Sequence, residues 1–198
     1  MKMTVTEFQA WLADFGQAIE ANKGYLSELD TPIGDGDHGN NMARGMAAYE
    51  ADFAAKQPTS ITDTAKILAM ALISKVGGAS GPLYGSAFMG ITKAVKDIVE
   101  IDSQEQLGEV MEQGLQMIQL RGKAAAEDKT MVDVWLPAVA ALKKGQLTET
   151  VVHTAKEHTA ELVAKKGRAS YLGERAIGHI DPGAASSELL FVALLKYL

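Results

Sequence analysis

A serine or threonine stands three residues ahead of an acid or amide at Thr4 and Glu7, Ser60 and Asp63, Ser103 and Gln106, and Thr130 and Asp133. Such a pair satisfies free N–H groups in the first turn of a helix, because the hydroxyl accepts from one amide and the carboxylate or amide oxygen from another. Apolar residues at helical spacing follow the caps. Val5, Phe8, Trp11, Leu12, Phe15 and Ile19 follow the first, Ile61, Leu68, Leu72 and Val76 the second, and Leu107, Val110, Met111, Leu115 and Ile118 the third. No segment alternates apolar and polar residues convincingly with a period of two, so a chain punctuated in this way is restricted to helices.

The remaining elements follow the same logic. Met42, Met46, Tyr49 and Phe53 mark a helix from near His38 or Gly39, preceded by a short turn of helix around Tyr25 to Leu29. Pro82 suits the first turn of a helix carrying Leu83, Phe88, Ile91 and Val95. The Thr130 helix should run to about Leu142, with Pro137 either bending it or marking a late start, and Thr148 should open another through Val151, Val152, Leu162 and Val163. A loop from Gly167 to about Ala185 then leads to a terminal helix with Leu189, Leu190, Val192, Leu194 and Leu195. The expectation is a single all-α domain over residues 1–198, with seven or eight antiparallel helices joined by short loops. The polar loops are separated by an even number of helices, so an up-and-down topology gathers them at one end, where they can share a site.

The charge balance narrows the partners. A formal net charge of −6 and a pI near 5.2 exclude the concentrated basic face that nucleic acids require. With no cysteine, thiolate metal sites, disulfides and cysteine nucleophiles are excluded together. The amino terminus lacks the apolar run of a signal peptide, and no segment reaches the ~18 apolar residues of a membrane span. The expectation is a cytoplasmic protein whose partners are proteins or small molecules, with no direct nucleic-acid binding and no membrane insertion.

Chemistry concentrates in the loops. Asp30, Asp35 and Asp37 crowd three carboxylates into a stretch rich in Gly and Pro, and such carboxylates repel one another unless a hard cation such as Mg²⁺, Mn²⁺ or Ca²⁺ neutralises them. An EF-hand is excluded, since counting from Asp35 places Gly39 and Met46 where an oxygen donor and a glutamate are needed. A turn rich in aspartate that caps the next helix is the competing reading. His38, Gly39, Asn40 and Asn41 lie at a helix start, where amides and the helix dipole attract an anion; a plain cap is the alternative. Gly77-Gly78-Ala79-Ser80-Gly81 can cradle phosphate, although it is no Walker motif and equally suits a tight interhelical turn. Asp128-Lys129-Thr130-Met131 opens a helix, with Met131 either core or a purine contact. Arg168 and Asp181-Pro182-Gly183 sit on a loop too long for a mere connector.

Taken in order, Gly34-Asp35-Gly36-Asp37-His38-Gly39-Asn40-Asn41-Met42, Gly77 to Gly85, Asp128 to Met131, Gly167 to Arg175 and Asp181 to Ala184 resemble the nucleotide-binding L subunits of dihydroxyacetone kinases over nearly the whole chain. The resemblance implies a closed up-and-down barrel of about eight antiparallel helices with ADP and two Mg²⁺ ions at one end. It implies Asp30, Asp35 and Asp37 as metal ligands, and nucleotide contacts from His38, Gly39, Asn40, Asn41, Ala79, Ser80, Gly122, Met131, Arg168, Asp181, Pro182 and Gly183. It further implies two protein partners, a K subunit that holds dihydroxyacetone and a phosphohistidine donor protein of the phosphotransferase system. Bound ADP would be phosphorylated to ATP and regenerated as a coenzyme, the activity of a phosphoenolpyruvate-glycerone phosphotransferase.

Overall fold

The computed structural model describes residues 1–198 and contains eight α-helices. These are α1 (Val5–Asp30), α2 (His38–Lys56), α3 (Ile61–Lys75), α4 (Ser80–Ala94), α5 (Gln104–Gly122), α6 (Val132–Leu142), α7 (Glu149–His158) and α8 (Pro182–Leu194). The caps read from the sequence operate at most starts. Ser60, Ser103 and Thr148 accept from the amides of Asp63, Gln106 and Val151, and Thr4 and Glu7 form the reciprocal box. No sheet forms; a single antiparallel bridge joins Met3 to Ile101.

Each helix packs on its neighbour in sequence, and α8 packs on α1 to close the ring. One hydrophobic core of 45 buried residues draws on all eight helices, so the apolar stripes converge on a common axis. Trp11 and Trp135, both fully buried, place their rings edge-on to Phe8 and Phe191 at centroid distances of 5.3 and 5.2 Å. A smaller cluster of Ile33, Ala164 and Ala176, with Ala169 and Leu172 packed on it, fastens the segment between α7 and α8 to the loop after α1.

Four boundaries differ from the sequence reading. The turn at Tyr25 to Leu29 is not separate, because α1 continues through Gly24 to Asp30 with Leu26 buried in the core. The Thr130 helix begins later, at Val132, while Asp133 still takes the Thr130 amide, and Pro137 lies inside the helix rather than at its start. Helix α7 ends at His158 instead of continuing to Val163: the Thr159 hydroxyl turns back to the Lys156 carbonyl, and the Thr159 carbonyl accepts from Lys129 Nζ at 2.6 Å. Helix α8 starts at Pro182, ahead of the expected position, because Asp181 caps it through the Ala184 amide at 2.8 Å.

Tight packing between α4 and α5 offers a direct test. A Cβ built on Gly90 would lie 2.5 Å from the Gln113 carbonyl oxygen, whereas one on exposed Gly24 meets nothing within 4 Å. Gly90→Ala is expected to lower the unfolding free energy in urea by about 1–3 kcal/mol. Gly24→Ala is expected to raise it by about 0.5–1 kcal/mol, since only the helix propensity changes there.

Candidate functional site

The up-and-down course brings the carboxyl ends of α1, α3, α5 and α7 and the amino ends of α2, α4, α6 and α8 to the same end of the ring. Between them lies a cleft of about 490 Å³. Asp30, Asp35, Asp37, His38, Asn41, Ala79, Ser80, Gly122, Met131, Arg168, Asp181, Pro182 and Gly183 all line it, gathered from four loops far apart in sequence. Gly39 and Asn40 do not. Asn40 is exposed elsewhere, and Gly39 is buried against α1, where a Cβ would sit 1.8 Å from the Lys23 carbonyl and where the Gly39 amide is taken by Ser27 Oγ at 3.1 Å.

The carboxylates form one cluster, with an oxygen of each of Asp30, Asp35 and Asp37 within 4.8 Å of the others. Asp30 ends α1, and its Oδ2 accepts from the amides of Asp37 at 3.0 Å and His38 at 3.2 Å, so it caps α2 across the intervening loop. Gly34 makes this approach possible, because a Cβ there would lie 2.0 Å from Asp30 Oδ1. Burial, with the neighbouring Asp35, raises the Asp30 pKa, and the hydrogen bond to Asp35 raises that of Asp37. The bond with Asp37 comes first in holding Asp35 low, and Arg168, which pairs with the Asp35 carboxylate, adds to it. Three oxygen donors of this kind suit a hard divalent cation, which would relieve the repulsion that otherwise favours proton uptake.

Opposite the carboxylates, Gly77 to Ser80 leads into α4, with Gly78 at a φ of +66°. Arg44 ties this loop to α2 by donating to the Lys75 carbonyl at 3.0 Å and to Asn41 Oδ1. His38 is 6% exposed, and both ring nitrogens are engaged, Nδ1 with Ser80 Oγ at 3.0 Å and Nε2 with Ser186 Oγ at 2.9 Å. Burial lowers its pKa to about 4, so the ring is neutral at physiological pH. Asp181, capping α8 from inside the cleft, has its pKa raised by burial to about 7. Leu83, Ile118 and Met131 give the cleft an apolar wall, and Met131 is at once core and lining.

Sequence reasoning passed over Lys129. This lysine lines the cleft floor at 2% exposure and donates to the carbonyls of Thr159 and His179. It lies inside the Asp128 to Met131 motif, which was the only available signal. His153 and His158 lie outside the cleft and are exposed, with carboxylate partners in Glu188 and Glu161. His179 is half-buried.

The DAK2 domain sequence profile matches residues 32–196. Among curated proteins, the chain is 55% identical over 186 residues to the ADP-binding subunit of PEP-dependent dihydroxyacetone kinase 1 of Listeria innocua, covering 94% of this chain and 93% of that one. It is 47% identical over 194 residues, 98% of either chain, to the ADP-binding subunit of the PTS-dependent dihydroxyacetone kinase of Lactococcus lactis. Among solved structures, the dihydroxyacetone kinase of C. freundii in complex with AMP-PNP and Mg²⁺ superposes with a TM-score of 0.75 at 21% identity. That match covers 100% of this chain and 35% of the other, a likeness of fold to about a third of a longer protein.

The neutral burial of His38 fixes the sign of a pH effect. Unfolded, the ring takes up a proton near pH 6.5, whereas folded it does so only near 4. Its contribution to stability is therefore complete above pH 6.5 and is lost as the pH falls towards 4, by at most about 3 kcal/mol. Denaturant unfolding of the wild type and of His38→Gln at several pH values should show their stability difference shrinking by that order across this window. Groups common to both proteins cancel in the comparison.

Proposed function

Because the chain belongs to the DAK2 domain family, we propose that it is the ADP-binding, phosphoryl-transferring subunit of a phosphotransferase-dependent dihydroxyacetone kinase. Held ADP with two Mg²⁺ ions would take a phosphoryl group from a phosphohistidine protein of the phosphotransferase system and pass it to dihydroxyacetone on a separate K subunit, yielding dihydroxyacetone phosphate. The single observation that carries this reading is the meeting, in one cleft, of the Asp30, Asp35 and Asp37 cluster with the Gly77 to Ser80 loop and Arg168. The names of relatives more than 45% identical over nearly their whole length support the same conclusion.

Each group has work that its chemistry suits. Asp30, Asp35 and Asp37 would hold the cations, which supply positive charge against the phosphate oxygens. The amides after Gly77 and at the start of α4 would donate to the diphosphate, as would Ser80. Arg168, exposed and paired with Asp35, is free to swing from the carboxylate to a phosphoryl oxygen. Leu83, Ile118 and Met131 would cover the base, while Pro182 and Gly183 bring the amino end of α8 to the rim. Asp181 would act by fixing that helix end through its cap to Ala184. The chain needs no general base of its own, because phosphoryl transfer demands positioning and charge neutralisation more than covalent help.

Retention of the nucleotide tests this reading. Mass spectrometry of denatured, freshly purified protein should find ADP in near-stoichiometric amount, and Asp35→Ala should lose it together with turnover when K subunit, phosphohistidine donor and dihydroxyacetone are supplied. Its circular dichroism should remain that of the wild type, since Asp35 lies on an exposed loop. Turnover without Asp35, or a wild type that retains no ADP, would refute the assignment.

A further inference from the structure

Residues 159–181 leave the ring after α7, bring Gly167, Arg168 and Ala169 to the wall of the cleft as a lip, and return to α8. Apart from the pairing of Arg168 with Asp35, the hydrogen bonds at the crest are local, as from the Ser170 amide to Gly167 and from the Ile177 amide to Glu174. Tyr171, Glu174 and Arg175 are exposed there. At the base the outgoing and returning limbs are joined. The Gly178 amide donates to the Ala160 carbonyl at 2.7 Å, and the Asp181 amide donates to Thr159 Oγ at 3.0 Å. Lys129 Nζ, from the loop before α6, donates to the Thr159 carbonyl on one limb at 2.6 Å and to the His179 carbonyl on the other. The Lys165 amide adds a bond to the Asp128 carbonyl at 3.1 Å.

This joint calls for a lysine. A backbone amide has one N–H and serves one carbonyl, whereas an ammonium carries three on a single atom and can serve both limbs at once. Both the residue and its setting are costly to keep. Lys129 has a left-handed backbone, with a φ of +61°, and at 2% exposure its side chain lies away from the water that solvates an ordinary lysine. The backbone is held from the other side by Asp133, which accepts from the Thr130 amide at 2.8 Å and from that of Glu127. A methionine would fill similar volume without the desolvation, so packing alone does not explain an ammonium here. What the ammonium adds is the tie between the limbs.

We infer that Lys129 is the positioning residue of the Arg168 lip: it locks the two limbs at their base, so that the crest moves as one unit and Arg168 keeps a fixed reach into the cleft. That Arg168 meets a phosphoryl oxygen there rests on the function proposed above; the lock does not.

Amide hydrogen exchange followed by NMR reads the lock directly in ligand-free protein. In the wild type, corrected for intrinsic rates, the Lys165, Gly178 and Asp181 amides at the base should exchange at least about tenfold more slowly than those of Ser170 and Ile177 at the crest. In Lys129→Met the base amides should quicken by about the same factor while those of α3 and α4 keep their wild-type rates, whereas a general loss of stability would quicken them all. Because the chain has no cysteine, Lys129→Cys alkylated with 2-bromoethylamine in denaturant and then refolded places an ammonium of nearly the original reach at this position, and it should restore the protection. With K subunit, phosphohistidine donor and dihydroxyacetone supplied, Lys129→Met should lower kcat about tenfold, but less than about twofold when Arg168 is already alanine, because a residue that acts through Arg168 then has nothing left to place. Base amides that exchange as fast as the crest in the wild type overturn the inference, and that measurement stands even if Lys129→Met fails to fold. Unchanged base protection in a folded Lys129→Met, or equal losses of kcat with and without Arg168, overturns it as well. The expected exchange pattern in a protein without turnover would instead count against the proposed function alone.

Discussion

The cleft depends on the Asp30 carboxylate. It closes α1, accepts the first free amides of α2 and belongs to the acidic cluster, so one side chain fixes the angle at which two helices meet and the position of the charges between them. The arrangement is possible only because Gly34 has no side chain to occupy the same space. Burial makes the carboxylate costly to ionise, and its two amide donors offset part of that cost. A helix joint and a proposed metal ligand are here the same group. A substitution that removes the charge would therefore also loosen the joint, whereas Asp35, at the exposed lip, can be changed with little consequence for the fold.

Alternation of helix direction explains why such a site can hold both signs of charge. The partial negative ends of α1, α3, α5 and α7 and the partial positive ends of α2, α4, α6 and α8 face the same cleft, so their long-range fields oppose one another. What a ligand meets is local. Carboxylates stand where α1 gives way to α2, and bare amides and a hydroxyl stand where α3 gives way to α4. A cation and a polyphosphate can then bind side by side, each neutralising the other, with the apolar wall of Leu83, Ile118 and Met131 beside them.

Much of this was legible from local signals. The caps at Thr4, Ser60, Ser103 and Thr148 mark helix starts because the groups that decide them lie within three residues. The boundaries that differ were decided at a distance. Helix α7 stops because Lys129, from another loop, takes the Thr159 carbonyl, and α1 runs past Gly24 because packing at Leu26 outweighs a propensity cost of about 1 kcal/mol. Within the site, the three aspartates were visible as an improbable density of charge. The hydrogen bonds that join Tyr84, Ser186, Ser187 and Trp135 beneath it were not, since each residue reads as an ordinary member of an amphipathic helix, and only the ring closure that sets α8 beside α1 and α6 brings them together. Nothing in the local sequence around Gly39 reveals how closely α2 crosses α1, which leaves its amide bound to Ser27.

The two walls of the cleft differ in how they are held, and the difference matches what each must do. On the floor, Lys123, Glu127 and Lys129 all take left-handed backbone conformations that side chains disfavour. The segment is kept in place by Asp133, which accepts from the Glu127 and Thr130 amides, and by the Lys129 ammonium on the Thr159 and His179 carbonyls. Those two carbonyls flank the stretch that carries Arg168, so one buried cation pins both feet of that stretch while its crest stays exposed. Burial lowers the pKa of this ammonium, and the charge of Asp181 works against that shift. The floor is thus firmly held, suited to a ligand that stays. The lip bearing Arg168 is anchored at its base by Ile33, Ala164 and Ala176 and is otherwise open, as the proposed exchange of Asp35 for a phosphoryl oxygen would require.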